Sequence, residues 1–394
     1  MEGRVLEVLR ASLRLGLVSF GGPIAHLGYF RHEYVERRRW LDESAYADLV
    51  ALCQFLPGPA SSQLGIAIGT IRAGVPGGIA AWLGFTLPSA IALVVFAVAT
   101  TSVDVATTGW VHGLKLAAVA VVAQAVLSMW RSLAPDRPRA TIAIAAAIVA
   151  LVWSTPFSQI AIIGTGALIG RWLLAPGVAR LDVSDPGPVS RGFGAGALVL
   201  FVALLVGLPL LRAATGLQSV ALADGFYRAG SLVFGGGHVV LPLLHDSVVQ
   251  QGWVTEDRFL AGYGAAQAVP GPLFTFAAYL GFVTEPAPNG IFGAVIALVA
   301  IFVPSLLLIW GALPFWDLLR RSVGFQRALA GTNAAVVGIL LAALYTPIWT
   351  SGVTGPADVA LALAAFGLLV FWEAPPWLVV ILAASAGQAI LARL

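Results

Sequence analysis

Two short motifs that interrupt long apolar stretches carry the polar groups best able to bind a ligand. The sequence Gln-Phe-Leu-Pro-Gly-Pro occupies 54–59, and Gln-Ala-Val-Pro-Gly-Pro occupies 267–272. Proline removes a backbone N–H and clashes with the preceding helical turn, so neither stretch can remain one continuous helix. Because proline suits the first position of a helix, Pro59 and Pro272 are expected to begin half-helices. Their unpaired N–H groups and positive dipole ends would form an anion site without a charged side chain.

Glycine-rich motifs predict two further breaks of the same kind. Phe-Gly-Gly-Pro lies at 20–23 and Phe-Gly-Gly-Gly-His at 234–238. Glycine lets the backbone approach a ligand closely and adopt positive φ. His26 and His238 could each donate to an anion or carry a proton, or could serve only in packing. His238 is the stronger candidate because it directly follows the glycines.

The candidate substrate-binding residues come from these four motifs, from hydroxyl groups that follow the proline motifs, and from two polar residues near the starts of equivalent segments. One of the latter, Lys115, could face a cavity or extend to the membrane surface. The full set is Gly21, Gly22, Pro23, His26, Gln54, Gly58, Pro59, Ser61, Ser62, Lys115, Gly235, Gly236, Gly237, His238, Gln267, Gly271, Pro272, Thr275 and Asn333. The other histidines, His32, His112 and His245, lie at predicted segment edges and are expected to be solvated.

The composition requires a lipid bilayer around these motifs. The 394 residues are 59% hydrophobic and 10% charged, whereas a soluble domain is about 25% charged. Apolar runs such as 291–310 approach the roughly 20 residues that cross a bilayer. The net charge of +3 lies in loops, and no basic arm suggests a nucleic-acid partner. No enzyme, nucleotide, cofactor or metal motif occurs in a usable context, so we predict a protein that is not an enzyme.

The chain repeats itself at an interval of 213 to 216 residues, which indicates two homologous halves. The matched pairs are Phe20 and Phe234, Trp40 and Trp253, Gln54 and Gln267, Pro88 and Pro304, and Ala120 and Ala335. The first half is predicted to have apolar segments at 8–30, 45–71, 77–100, 113–130, 139–153 and 157–173. The second half has them at 226–244, 259–283, 290–312, 329–346, 357–372 and 376–392. One extra segment, 194–212, joins the halves, so we divide the chain into a repeat at 1–175, a linker at 176–215 and a repeat at 216–394.

An odd connecting helix leaves the second half upside down relative to the first, and the loop charges agree. Four arginines lie in the loop at 31–39, whereas its counterpart at 245–258 is acidic with one arginine. Because cytoplasmic loops are enriched in arginine and lysine, the two loops are expected on opposite sides. The fold class predicted is therefore an all-α integral membrane protein with two six-segment halves in an inverted repeat, an arrangement that secondary transporters use.

The first two segments of each half can be interpreted in two ways. They dip into the membrane and return, or they span it fully as broken helices. Re-entrant segments place every basic loop on the cytoplasmic side, and both interpretations place the N-terminus inside the cell.

With these residues in view, the chain resembles the chromate ion transporter family in its long, two-domain form. The resemblance rests on SFGGPIAHLGYFRHEYVERRRWLDE, CQFLPGPASSQLGIAIG and GFTLPSA in the first half, and on SLVFGGGHVVLPLLHD and GYGAAQAVPGPLFTFAAYLGF in the second. It implies a bacterial inner-membrane carrier that expels chromate. Sulfate, another tetrahedral dianion, is an alternative substrate, and a non-transport membrane protein is an alternative of another class.

Electrostatics favours export. Moving two negative charges out of an inside-negative cell releases about 4.6 kcal/mol per 100 mV, since one charge is worth about 2.3 kcal/mol. At about 1.4 kcal/mol per tenfold, this sustains a gradient of order 10³ without another ion. The sequence leaves open the coupling ion, whether the protein forms a homodimer, and whether the repeated motifs build one shared site or two.

Overall fold

The computed structural model of the protein describes residues 2–20, 22–101, 109–153, 158–174, 189–233, 239–316 and 322–391. Every regular element in these ranges is helical. The first half contains α1 (Glu2–Val18), α2 (Gly22–Arg31) with a π-helical turn (His32–Arg37), α3 (Glu43–Phe55), α4 (Ala60–Thr100), α5 (Gly109–Leu133), α6 (Arg137–Val152) and α7 (Ser158–Leu173). The connecting helix is α8 (Arg191–Thr215).

The second half contains α9 (Gln218–Leu232), α10 (Val240–Val248), α11 (Glu256–Ala268), a 3₁₀ turn (Leu273–Thr275), α12 (Phe276–Val283), α13 (Gly290–Ala312) with a 3₁₀ turn (Leu313–Phe315), and α14 (Val323–Ala343). A π-helical turn (Leu344–Trp349) and a short helical extension (Thr350–Gly352) follow, and then α15 (Pro356–Val370) and α16 (Pro376–Leu391).

Within the described ranges, five helical stretches are long and apolar enough to cross a membrane. They are Ala60–Thr100, Gly109–Leu133, Arg191–Thr215, Gly290–Phe315 and Val323–Gly352. Only 11% of the most apolar stretch of α8 is buried by protein, so lipid covers most of that helix. The prediction of an all-α, multi-pass membrane protein is confirmed.

The helices are interrupted at both Pro-Gly-Pro motifs and at Gly74, whereas other prolines, such as Pro88 and Pro304, lie inside continuous helices. α3 ends at Phe55 and α4 begins at Ala60, on either side of the first Pro-Gly-Pro motif. α11 ends at Ala268, and the 3₁₀ turn that leads into α12 begins at Leu273. A third break divides α4 at Ala73 and Gly74, because Gly74 has φ +69°. α4 therefore consists of a half-helix at 60–72 and a long helix at 75–100.

In the first half, both broken segments return to the end of the molecule from which they start. Ser12 of α1 meets Tyr34 at 3.2 Å, and Glu7, one turn earlier, meets Arg38 at 3.5 Å, so the two helices are antiparallel. Glu7 also pairs with Arg72 at 3.0 Å, at the close of the half-helix 60–72. The chain thus forms two helical hairpins whose open ends meet here, at what we call the Arg72 end. The motif breaks lie at the hairpin tips.

The second half has the same local arrangement at a different end of the molecule. The Ser247 hydroxyl of α10 donates to the Gly225 carbonyl of α9 at 3.4 Å. The Glu285 amide, after α12, donates to the Trp253 carbonyl, before α11, at 2.9 Å. Both hairpins of this half therefore open near Trp253, at what we call the Trp253 end.

The long part of α4 extends from one of these ends to the other. It begins beside Arg72, and at its far end the Phe96 ring lies 5.7 Å from the Tyr279 ring, whose hydroxyl donates to the Arg258 carbonyl. A helix of 26 residues is about 39 Å long at about 1.5 Å per residue. The arginine-rich stretch at 31–39 and the acidic stretch at 245–258 accordingly lie at opposite ends of this helix.

The remaining helices are exchanged between the halves. α5 of the first half packs against α15 and α16 of the second, and α14 of the second half packs against α6 and α7 of the first. Small residues permit the close crossings, as where Gly113 of α5 faces the Ala383 backbone of α16. Each half is thus completed by helices of the other.

Candidate functional site

The hairpin tips of the two halves are joined by a reciprocal pair of backbone hydrogen bonds. The Gly271 amide donates to the Ser19 carbonyl at 2.9 Å, and the Gly58 amide donates to the Val233 carbonyl at 2.6 Å. Gly58 (φ +125°) and Gly271 (φ +99°) both have backbone conformations that favour glycine. Each bond runs from a Pro-Gly-Pro motif in one half to the residue before the glycine-rich motif in the other half.

These bonds change which amides can meet an anion. The Gly58 and Gly271 amides are already paired with these carbonyls, so they are not free to donate to an anion. In α4 the first helical bond is from the Gln63 amide to the Pro59 carbonyl, which leaves the amides at 60–62 without helical acceptors. In the second half the first such bond is from the Thr275 amide to the Pro272 carbonyl, so the amides of Leu273 and Phe274 also have no helical acceptors. The amides that are free to donate to an anion are therefore those of the residues that follow Pro59 and Pro272.

A cavity of about 60 Å³ lies between the tips and gathers many of the predicted residues. One water molecule needs about 10–15 Å³ of cavity volume, so this cavity has room for a few waters or a small ion. It is lined by Gly22, His26, Pro59, Ser61, Val121, Gln124, Ala266, Gln267, Val269, Gly271, Pro272, Leu273, Phe274 and Pro376. Seven of these residues were predicted as site residues, and they come from both halves.

The histidine of the first half is fixed at the wall of this cavity. His26 is 2% exposed, and its Nε2 lies 3.1 Å from the Ser19 carbonyl. Because a carbonyl only accepts, Nε2 carries a proton; in the neutral ring Nδ1 then accepts from the Ser61 hydroxyl, 3.2 Å away. The Ser19 carbonyl oxygen therefore accepts two hydrogen bonds, one from the His26 imidazole and one from the Gly271 amide. His26 links the first glycine-rich motif to both proline motifs.

Two glutamine side chains bring amides to the cavity. The Gln267 Nε2 is buried and has no hydrogen-bond partner among the described residues. Gln124, in the middle of α5, was not among the predicted site residues. Its sequence signal is a single amide in the apolar run at 116–127, and a polar residue at such a depth usually has a function.

The electrostatics of the cavity are set by neutral dipoles. None of the described lining residues is an arginine, lysine, aspartate or glutamate. Three helical elements begin at its wall: α2 at Gly22, α4 beside Ser61, and the 3₁₀ turn at Leu273. Helix starts favour negative charge because their amides and dipoles point towards it. The arrangement can bind a small anion and release it without breaking an ion pair.

Several predicted site residues lie elsewhere. Lys115 does not line the cavity: it is 6% exposed, and its ammonium pairs at 2.5 Å with Asp257, in the acidic stretch at the Trp253 end. The Thr275 hydroxyl donates to the Pro272 carbonyl, and Gln54 is exposed away from the cavity. Ser62 and Asn333 have buried side-chain oxygens without partners in the described part of the chain, but neither lines the cavity.

For Pro23 the structure describes only the backbone, in the first turn of α2. Outside the described residues lie Gly21, Gly235, Gly236, Gly237 and His238.

One histidine predicted to be solvated is buried. His245 is 7% exposed, and its Nε2 lies 2.7 Å from Glu256 at the Trp253 end. Burial lowers the pKa of its imidazole, but the hydrogen bond that it donates to Glu256 and the negative charges of Asp246 and Glu256 outweigh burial and raise the pKa to about 9. His112 is partly buried and pairs with Asp358 at 2.7 Å, whereas His32 is exposed. Asp358 lies 246 residues from His112 in sequence, so that contact could not be predicted from sequence, whereas the partners of His245 are close to it along the chain.

Comparisons with known proteins agree with the sequence resemblance. The family model described as "Chromate transporter" matches residues 6–171 and 220–388. A chromate transport protein of Pseudomonas aeruginosa is 30% identical over 83% of this chain and 77% of its own length. A probable chromate transport protein of Synechococcus elongatus is 26% identical over 92% of this chain and 94% of its own. A chromate transport protein of Cupriavidus metallidurans is 25% identical over 84% of this chain and 80% of its own length. No solved structure matches the chain.

Proposed function

The chain belongs to the chromate transporter family, and from this premise we propose that it is a secondary carrier that exports chromate across a bacterial plasma membrane. The observation that carries the proposal is the cavity between the hairpin tips, lined by both halves and surrounded by helix starts. A small dianion fits the size of the cavity and its neutral amide donors. The two matched repeats supply the two sides of the site.

We further propose that the halves form an inverted repeat around this site. The support is that their loops lie at opposite ends of α4 and that the tip-to-tip bonds are reciprocal. Carriers of this type alternate access by moving one repeat against the other around a site near the midplane. The bonds from Gly58 to Val233 and from Gly271 to Ser19 would then be the contacts that break and re-form as access alternates.

The direction of transport follows from the charge of the substrate. The membrane potential favours export of a dianion by about 4.6 kcal/mol per 100 mV, whereas uptake needs a coupled cation or proton. Neutral dipoles at the cavity are consistent with this, because they let the ion leave at the outer face without exchange for a second anion.

Flux measurements test the proposed function. Inside-out vesicles that contain the protein are expected to accumulate labelled chromate when their interior is made positive, with no pH gradient, and vesicles without the protein are not. The same vesicles with labelled sulfate test the alternative substrate. Sulfate accumulation without chromate accumulation would reassign the substrate, and a requirement for a pH gradient at zero potential would contradict potential-driven export.

Cysteine labelling tests the topology. In a Cys53→Ser background, cysteines at Arg39 and Gln250 are both at exposed positions. An impermeant thiol reagent is expected to reach the first from the cytoplasmic side and the second from the opposite side, because arginine-rich loops stay in the cytoplasm. Labelling of both from one side would rule out the inverted arrangement. Intact cells and lysed cells give the accessible and total signals.

A further inference from the structure

A second polar cavity lies at the Trp253 end, apart from the anion cavity. It has a volume of about 150 Å³ and lies among the end of α10, the start of α7 and the break after α14. Its polar lining comes from Ser158, Gln159, Asp246, Gln250 and Thr346. These side chains offer oxygen atoms, and the cavity contains no lysine or arginine among its described lining residues.

The amide of Gln159 fixes the character of this cavity. Its Nε2 donates to Asp246 Oδ2 at 2.6 Å, and the reverse orientation would oppose two acceptor oxygens. The amide oxygen is therefore the other atom, and it is buried with no hydrogen-bond partner among the described residues. Gln159 as a whole is only 8% exposed. An unpartnered acceptor beside a carboxylate is an arrangement that a cation stabilises.

Comparison of the two repeats shows that the negative charge of Asp246 is specific to the second half. Glu33 occupies the equivalent position, 213 residues earlier, and is neutralised by Arg38 at 2.7 Å and Arg37 at 2.9 Å. In the second half the positions of these arginines are taken by Gln250 and Gln251. The exchange replaces charged donors near the carboxylate by neutral side chains that carry acceptor oxygens.

The charged side chains around Asp246 carry a net charge of at least −1. Its ion-pair partner in the described part of the chain is His245, at 3.9 Å, and that imidazole is hydrogen-bonded to Glu256 at 2.7 Å. Even if His245 is counted as charged, His245, Asp246 and Glu256 together retain one net negative charge. Asp246 lies in the last turn of α10, where the helix dipole also favours a cation.

The break after α14 contributes to the same wall. Pro347 has no N–H, so the α-helical bonding pattern of α14 gives way to the π-helical turn here, and Ala343 and Pro347 both line the cavity. Carriers use such interrupted backbone, together with helix C-termini, to coordinate small cations.

We propose that this cavity binds a monovalent inorganic cation of the size of Na⁺, with Asp246, the Gln159 amide oxygen and Gln250 as its ligands. Oxygen ligands suit hard cations, and a single carboxylate with neutral oxygens matches a single positive charge. The site goes beyond the proposed export of chromate and does not depend on it, because it shares no lining residue with the anion cavity.

The test is binding of ²²Na⁺ to the purified full-length protein in detergent, without chromate, in competition with K⁺, Mg²⁺ and Ca²⁺. Saturable binding is expected for the wild type. Asp246→Asn is expected to weaken it by about tenfold or more, because loss of a ligand or its support costs metal affinity of that order. Gln250→Arg recreates the arginine of the first half and is expected to displace the cation with a guanidinium group.

Glu285→Gln is the matched control, because it removes one exposed carboxylate at the same end without touching the cavity. It should bind Na⁺ like the wild type. The proposal is overturned if the wild type binds no Na⁺, if Asp246→Asn and Gln250→Arg both bind as the wild type does, or if Mg²⁺ or Ca²⁺ binds in preference. Chromate flux is measured separately, so failure of this site leaves the proposed function standing.

Discussion

Valine at Gly271 is expected to abolish chromate transport while the protein still inserts into the membrane. Gly271 has φ +99°, and a Cβ there would lie 2.8 Å from the Ser89 hydroxyl and 3.3 Å from the Phe85 carbonyl. The side chain would push the second tip away from the Ser19 carbonyl, which also holds His26. Lost tip contact and backbone strain together cost about 3 kcal/mol, or roughly a hundredfold. Transport rate in vesicles, normalised to the amount of inserted protein, is the measurement.

Alanine variants separate strain from contact between the halves. Gly216 at the end of α8 also has a positive φ, of +63°, but a Cβ added there would meet no atom within 4 Å. Gly216→Ala is therefore expected to transport normally, while Gly271→Ala loses most activity and regains part of it when Ser89→Ala removes the crowded hydroxyl. Normal transport by Gly271→Val would show that the contact between the tips is not needed. Loss of transport in Gly216→Ala would show that backbone strain alone can explain the loss in the Gly271 variants.

The broken helices could be predicted from sequence because proline and glycine act locally. Pro57, Pro59 and Gly74 lie at breaks that follow from their own backbone chemistry. Proline alone does not decide the outcome, since Pro88 and Pro304 lie inside continuous helices. The repeat could be recognised because the two Pro-Gly-Pro motifs share their residue types and spacing. Local chemistry thus indicates where the chain can break and which breaks correspond.

Partners distant in sequence could not be predicted in this way. The Gly271 amide finds the Ser19 carbonyl, and Lys115 finds Asp257, only because the folded halves exchange helices. Lys115 is a candidate ligand when considered on its own, and its partner 142 residues away changes that interpretation. Gln54 and Gln267 look alike in their motifs, yet only Gln267 lines the cavity. The repeat indicates equivalent positions, whereas the fold gives them different surroundings.

Leucine at Gln267 is expected to weaken chromate binding strongly, and leucine at Gln54 is not. The Gln267 amide nitrogen is buried at the cavity without a partner among the described residues, so it can donate to an anion there. Removing such a donor costs about 1–3 kcal/mol. That corresponds to a loss of affinity of roughly fivefold to 150-fold, at about 1.4 kcal/mol per tenfold. Equilibrium binding of labelled chromate to purified variants is the measurement.

Two controls make this result specific to a site built from neutral dipoles. Gln54→Leu makes the same chemical change at the equivalent but exposed position, and Lys115→Gln removes the buried lysine of α5, the helix that carries Gln124. Lys115→Gln leaves Asp257 unpaired but partly accessible to water, so affinity for chromate should change little. Equal losses in Gln267→Leu and Gln54→Leu would mean that both tips hold the ion. A loss confined to Lys115→Gln would mean that a point charge binds the anion and that the helix starts do not.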